Sequence, residues 1–104
     1  MYSIELSDDA ISDYENAVAW YEAQKPGLGF DFTVRLAEVF EFIESAPETQ
    51  RFLYENRRFA FVKQFPYKVY FMVEQVNVRV VVFAILHNKR NPQIWKKRDK
   101  DSRK

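Results

Sequence analysis

The feature that most constrains this chain is the run of seven apolar residues at positions 80–86, VVVFAIL, bounded by Arg79 and His87. It is too short to cross a bilayer as a helix. Its β-branched and aromatic content favours a strand. A strand that is apolar on both faces has to lie inside a sheet with cover above and below. The spacing therefore predicts a central strand over residues 78–87, and the rest of the chain has to supply its neighbours.

Those neighbours are visible on the N-terminal side. Residues 67–74 alternate, with Tyr67, Val69, Phe71 and Val73 on one face and Lys68, Tyr70, Met72 and Glu74 on the other. Residues 75–77 suit a hairpin turn between these two strands. Residues 58–63 alternate in the same way, and Phe65-Pro66 then forces a bend, because proline cannot donate to a ladder. Phe59, Phe61, Phe71 and Phe83 are expected in the core. Residues 46–56 form a connector in which Phe52, Leu53 and Tyr54 either anchor the chain or add a short edge strand.

The first half of the chain reads as helical cover. Residues 2–6 alternate as a short strand. Ser7, followed by Asp8 and Asp9, marks a helix start, because a side-chain oxygen and negative charge both suit free amide groups. Ile11, Tyr14, Val18 and Tyr21 then recur at helical spacing to about Gln24. Lys25-Pro26-Gly27-Leu28-Gly29 holds the only two glycines and predicts a sharp reversal. A second helix carries Phe32, Leu36, Val39, Phe40 and Ile43 and ends near Ser45. The order is β-α-α-β-β-β. This is an α+β class fold, a two-layer sandwich of an antiparallel sheet on a helical hairpin. Residues 1–95 are expected to form a single domain. Residues 96–104, KKRDKDSRK, are expected to be a charged, mobile tail, after a helical turn starting near Pro92 and a fold-back of Trp95.

Charge is divided between the halves. Residues 1–50 hold eleven acidic and two basic residues, a balance of −9; residues 51–104 hold four acidic and fourteen basic, a balance of +10. Such a split points either to a surface for an acidic partner or to mutual attraction between helices and sheet. The absence of cysteine excludes disulfides, thiolate metal sites and a cysteine nucleophile. One His and scattered carboxylates predict no metal site, and neither glycine lies in a phosphate-cradling motif, so no cofactor is expected. MYSIELSDD is not a signal peptide, so a cytoplasmic, non-membrane protein is expected.

Three segments together resemble the RelE/ParE superfamily of bacterial type II toxin–antitoxin toxins, on its ParE-like branch. They are YEAQKPGLGFDF at 21–32, FPYKVYFMVE at 65–74 and FAILHNKRNPQIW at 83–95. The resemblance covers nearly the whole chain except the last eight or so residues. It implies a small toxin, encoded by plasmid-stabilisation or similar modules, bound and neutralised by a cognate antitoxin. It leaves two activities open. ParE-like members poison DNA gyrase, whereas RelE-like members cleave messenger RNA on the ribosome.

RNA cleavage through a ribose 2′-hydroxyl needs a base, an acid and cations on the developing phosphorane charge. The candidates are His87, a residue type suited to act as base or acid, with Arg90 and Lys68 as phosphate-binding cations. By resemblance, Lys68 stands where the RelE-like branch has an Arg, and Arg90 matches another Arg. The alternating cationic positions of that branch fall on Phe59 and Phe61, and its C-terminal Tyr has no counterpart beside Trp95. Cleavage is therefore disfavoured. The alternative is a partner- or nucleic-acid-binding surface of Arg57, Arg58, Lys63, Lys68, His87, Lys89, Arg90 and Trp95. Against both readings, His87 can be a hydrogen-bonded strand-end residue, the arginines can pair with the acidic helices, and Trp95 can be a cover.

Overall fold

The structure is a computed structural model that describes residues 1–90 and 92–102, the last four in backbone only. Strand β1 (Ser3–Leu6) leads into helices α1 (Asp8–Gln24) and α2 (Leu28–Ser45), then a short 3-10 turn at Pro47–Thr49. Strands β2 (Arg51–Tyr54), β3 (Arg57–Phe61), β4 (Tyr67–Glu74) and β5 (Arg79–His87) follow, and helix α3 (Gln93–Ser102) comes last. The five strands form one sheet in the order β1-β5-β4-β3-β2. The α+β architecture expected from the sequence is present, with β5 inside the sheet.

The helix boundaries follow from local chemistry. Ser7 Oγ accepts the Ala10 N–H (3.1 Å), capping α1. Gly27 takes a left-handed φ of 92° ahead of α2, a conformation that suits glycine. The Glu22 carboxylate accepts from the N–H groups of Gly27 (2.9 Å) and Gly29 (3.0 Å), so an acid on α1 caps the start of α2. Gly29 lets the helices touch: a Cβ there would lie 2.8 Å from the Val18 carbonyl oxygen.

Four rings then join the hairpin to the sheet. Tyr21 stacks on Phe32 (5.4 Å), and both meet Phe65 edge-on at 4.9 and 5.1 Å. Tyr67 lies 5.0 Å from Phe32 in the same edge-on manner. Each such pair contributes about 0.5–1.5 kcal/mol beyond its buried area. Tyr21 and Phe32 come from the two helices, Phe65 from the bend before β4 and Tyr67 from the start of β4. The main core continues through Leu36, Ile43, Val69, Phe71, Val80, Val82 and Ile85.

Several local expectations change. The sheet is mixed, because β1 pairs parallel to β5, from Ser3 opposite Arg79 to Leu6 opposite Val82. The other pairs are antiparallel. The connector does form an edge strand, β2, so the sheet has five strands. In β5, Tyr70 opposes Ala84 while Phe71 opposes Val82, which leaves Phe83 as an extra residue. That bulge turns Phe83 and Ala84 together to the face away from the hairpin. There they build a second apolar cluster with Tyr70, Leu86 and Trp95.

Phe59 only borders that second cluster, and Phe61 is 48% exposed rather than core. Alternation puts both on the outer face, and α3 covers only part of it. The chain also does not leave the fold at Trp95. The backbone is helical from Gln93 to Ser102, over most of the stretch expected to be a tail. Trp95, 9% exposed, stacks on Tyr70 (5.5 Å, 19°). Asn91, expected on the segment leaving the sheet, and residues 103 and 104 of the expected tail lie outside the described residues.

Two outcomes are expected. Gly29→Ala forces α1 and α2 apart and lowers stability by about 1–3 kcal/mol, the usual range for overpacking, read from urea unfolding. The second concerns the β4–β5 hairpin, where Arg79 grips Glu74 through two hydrogen bonds (2.8 and 2.7 Å) and reaches Glu5 (2.8 Å). The hydrogen bond from Arg79 holds the Glu74 carboxyl below its ordinary 4.5. A lowered carboxyl stabilises the fold above that value and loses its contribution as pH falls through the folded one. Arg79→Ala therefore lowers the unfolding midpoint at neutral pH, and the gap from the native chain narrows on acidification below about pH 4.5.

Candidate functional site

The candidate residues fall into three separate places. The first is a cleft of about 670 Å³ where α1 passes the end of β4 and β5. Its walls include Asp13, Asn16, Trp20 and Tyr21 from α1, with Tyr67, His87, Arg90 and Arg98 opposite. His87 ends β5 opposite Tyr67, and the two rings meet edge-on at 5.4 Å. The chain then turns tightly, with the Arg90 N–H donating to the His87 carbonyl (2.9 Å). The Lys89 N–H donates to His87 Nδ1 (3.0 Å), so in the neutral ring the proton sits on Nε2. Lys89 and Arg90 are exposed.

Tyr67 supplies a hydroxyl but not a base. Burial pushes its pKa up, the nearby Arg90 pulls the other way, and Asp13 adds to the rise. It therefore stays protonated near neutrality.

The second place is the outer face of the sheet. Lys68 follows Tyr67 on β4 and so points to the opposite face. Its ammonium lies over the rings of Phe59 (5.4 Å) and Phe61 (5.6 Å), and Arg51 lies over Phe61 from the other side (5.1 Å). Such contacts hold cations against aromatic faces. Lys63 is exposed in the turn after β3.

The third place lies further along the sheet. Arg57 opposes Met72 and Arg58 opposes Phe71. At about 3.3 Å per residue, that is roughly 13 Å or more from Tyr67. Arg57 is 5% exposed and lies against Asn56, Glu55 and the Tyr54 ring. It is a buried structural residue, which corrects its assignment to a binding surface. Arg58 donates to the Gln50 carbonyl (2.9 Å) and covers Phe52, fastening β3 to the segment before β2. Trp95 is likewise buried, as the cover reading expects, and is not a free contact residue.

The structure also brings forward residues that sequence reasoning passed over. Asp13 accepts the Ile85 N–H (2.9 Å) and binds Arg98 through both carboxylate oxygens. β1 pairs no further than Val82, so this N–H has no strand to donate to. Arg98, whose pKa rises through the hydrogen bond it donates to Asp13, also approaches Asp9 (3.8 Å). In the sequence, Asp13 looks like one more acid on a solvated helix face; only its lack of a basic neighbour on α1 hints otherwise. Among the described residues, no three His, Asp or Glu side chains gather as metal ligands, and no helix is long and apolar enough to cross a membrane.

Residues 4–92 match the family described as ParE toxin of type II toxin-antitoxin system, parDE. No curated protein sequence matches significantly. Among solved structures, one chain of the chromosomal ParDE TA system from P. aeruginosa is similar at a TM-score of 0.71 and 14% identity, covering 84% of this chain and 96% of that one. A chain of the intact E. coli RelBE toxin-antitoxin complex gives 0.67 and 14%, covering 86% and 100%. The isolated E. coli RelE toxin gives 0.66 and 13%, covering 96% and 98%. At these identities the likeness is one of fold.

The Asp13 contacts generate a graded expectation. Asp13→Ala strands the Ile85 N–H and Arg98 together and costs about 1–3 kcal/mol. Asp13→Asn keeps an acceptor for the N–H and costs less. Equal losses in thermal or urea unfolding would show that the backbone hydrogen bond contributes nothing.

Proposed function

The chain belongs to the ParE toxin family of type II toxin-antitoxin systems, and from that premise we propose that it arrests growth by binding DNA gyrase and is neutralised by a cognate antitoxin. Both encounters occur in the cytoplasm, without a cofactor. The gyrase target follows the ParE-like branch that the three sequence segments resemble.

One observation supports binding over RNA cleavage. The three catalytic candidates do not converge: His87 and Arg90 share the α1 cleft, whereas Lys68 lies on the other face with Phe59 and Phe61. A phosphoryl-transfer site needs its base, acid and cations within hydrogen-bond reach of one phosphate. Here His87 and Lys68 face opposite sides of the sheet, and a phosphate at Lys68 meets two phenyl rings. Tyr67, beside His87, is held protonated by burial and adds no base. His87 with Arg90 remains the pair on which a messenger-RNA endonuclease would depend, and the fold is shared with the E. coli RelE toxin.

The test is to induce the chain without its antitoxin and follow growth, plasmid supercoiling and transcript integrity together. Growth arrest with loss of gyrase-dependent supercoiling and intact transcripts is the expected result. Rapid cleavage of translated messages, abolished by His87→Ala, would replace this reading with the nuclease. Normal growth with a folded product would mean a chain that binds antitoxin but has lost toxicity.

A further inference from the structure

The α1 cleft has two ends of different character. At one end, the charge of Arg98 is met by Asp13 and Asp9. At the other, Arg90 and Lys89 are exposed, and no acidic side chain is within ion-pair distance of Arg90 among the described residues. Trp20 stands at that end too, 58% exposed and edge-on to Tyr21 at 5.1 Å. His87 adds an Nε2–H, because its Nδ1 is already used by the Lys89 N–H. A cation, an imidazole N–H and an exposed indole thus line one concave cleft. That is the arrangement that holds one carboxylate with an apolar group next to it.

The wall opposite says which acidic partner fits. α1 carries five acidic residues and no basic one between Asp8 and Gln24. A phosphodiester chain laid along the cleft would run against that wall, whereas a peptide can present a single carboxylate to Arg90 and turn apolar side chains toward Trp20 and Tyr21.

We infer that this end of the α1 cleft is an anchor pocket for the cognate antitoxin, taking one Asp or Glu side chain on Arg90 and His87 and an adjacent apolar side chain against Trp20. The inference rests on the toxin–antitoxin reading and adds to it a specific pocket. The pocket lies on the hairpin side of the sheet, away from the buried Arg57 and from Trp95. An antitoxin segment seated there would lie across His87 itself.

The test is calorimetric titration of the protein from the adjoining reading frame into the native chain and into Arg90→Glu, Arg90→Lys and Trp20→Ser. Arg90 and Trp20 are exposed, so these variants keep the native unfolding midpoint. Arg90→Glu and Trp20→Ser each weaken binding by about tenfold or more, as expected for anchor residues. The double variant loses less than the product of the two, because both act on one anchored segment. Arg90→Lys, which keeps the charge, retains most of the affinity. Native-like affinity of both cleft variants, in a complex that still forms, would overturn the pocket and leave the toxin–antitoxin reading intact. No binding to the native chain would overturn that reading and the pocket with it. If Arg90→Glu instead abolished self-association, or binding of a single-stranded oligonucleotide, while antitoxin affinity stayed native, the occupant would be a second copy or a nucleic acid, and the proposal would be wrong.

Discussion

β5 has to be dry on both faces, and that single constraint organises the molecule. An apolar strand in mid-sheet needs cover on each side, yet the chain has only one helical hairpin to give. The hairpin covers one face through Phe32, Leu36 and Ile43. The other is covered by Trp95 lying flat on Tyr70. Because Phe83 is an extra residue in the ladder, Phe83 and Ala84 both join the outer cluster while β5 stays paired with β4. The bulge and the short β1 leave the Ile85 N–H without a strand partner, and Asp13 takes it. A buried N–H left unmet costs about 1–3 kcal/mol. The same carboxylate holds Arg98, so one side chain ties α1, β5 and α3 together.

This arrangement decides where the molecule can act. Much of the outer face is closed by α3, leaving the aromatic strip of Phe61 and Phe52 toward the β2 edge. The hairpin face is closed by core packing except where α1 diverges from the end of β5. The basic residues of the second half are accordingly not one patch. Some are consumed by structure, as Arg57, Arg79 and Arg98 are. Others stand at separate exits from the sheet. The remaining exposed cations are thus spread over separate parts of the surface.

Much of the fold is legible in the sequence because local chemistry and tertiary packing agree there. Ser7 caps the helix it was expected to cap, the Pro-Gly-Leu-Gly stretch reverses the chain, and Phe65-Pro66 bends it. Tyr67, Val69, Phe71 and Val73 share a face because nothing disturbs their alternation. The failures share a cause. A parallel β1 cannot be distinguished from an antiparallel one by its own four residues, since direction is set by the helices that follow. Phe61 was expected inside because a phenyl ring usually is, but whether the outer face is covered depends on how far α3 reaches. Arg57 is buried by Tyr54 and its neighbours, and no periodicity in the sequence reports that. Asp13 and Arg98 are 85 positions apart, and neither carries a local sign of the other. The candidate site was legible at His87 and Arg90, which a tight turn holds together, and not at Trp20, whose exposure emerges only once α1 is docked.

The parallel pairing of β1 with β5 carries a consequence for the order of events in folding. Ser3 pairs with Arg79, Asp13 accepts hydrogen bonds from Ile85 and Arg98, and Glu5 accepts one from Arg79. Each contact joins the start of the chain to its last third. Non-local pairings of this kind form late, after the entropy of closing a long loop has been met. A nascent chain emerging N-terminus first can build the hairpin early, but its first strand has no partner until β5 has followed. The half-made chain therefore presents an acidic helical pair with an open apolar face. Strands β2 to β5, with their arginines, follow it in the chain.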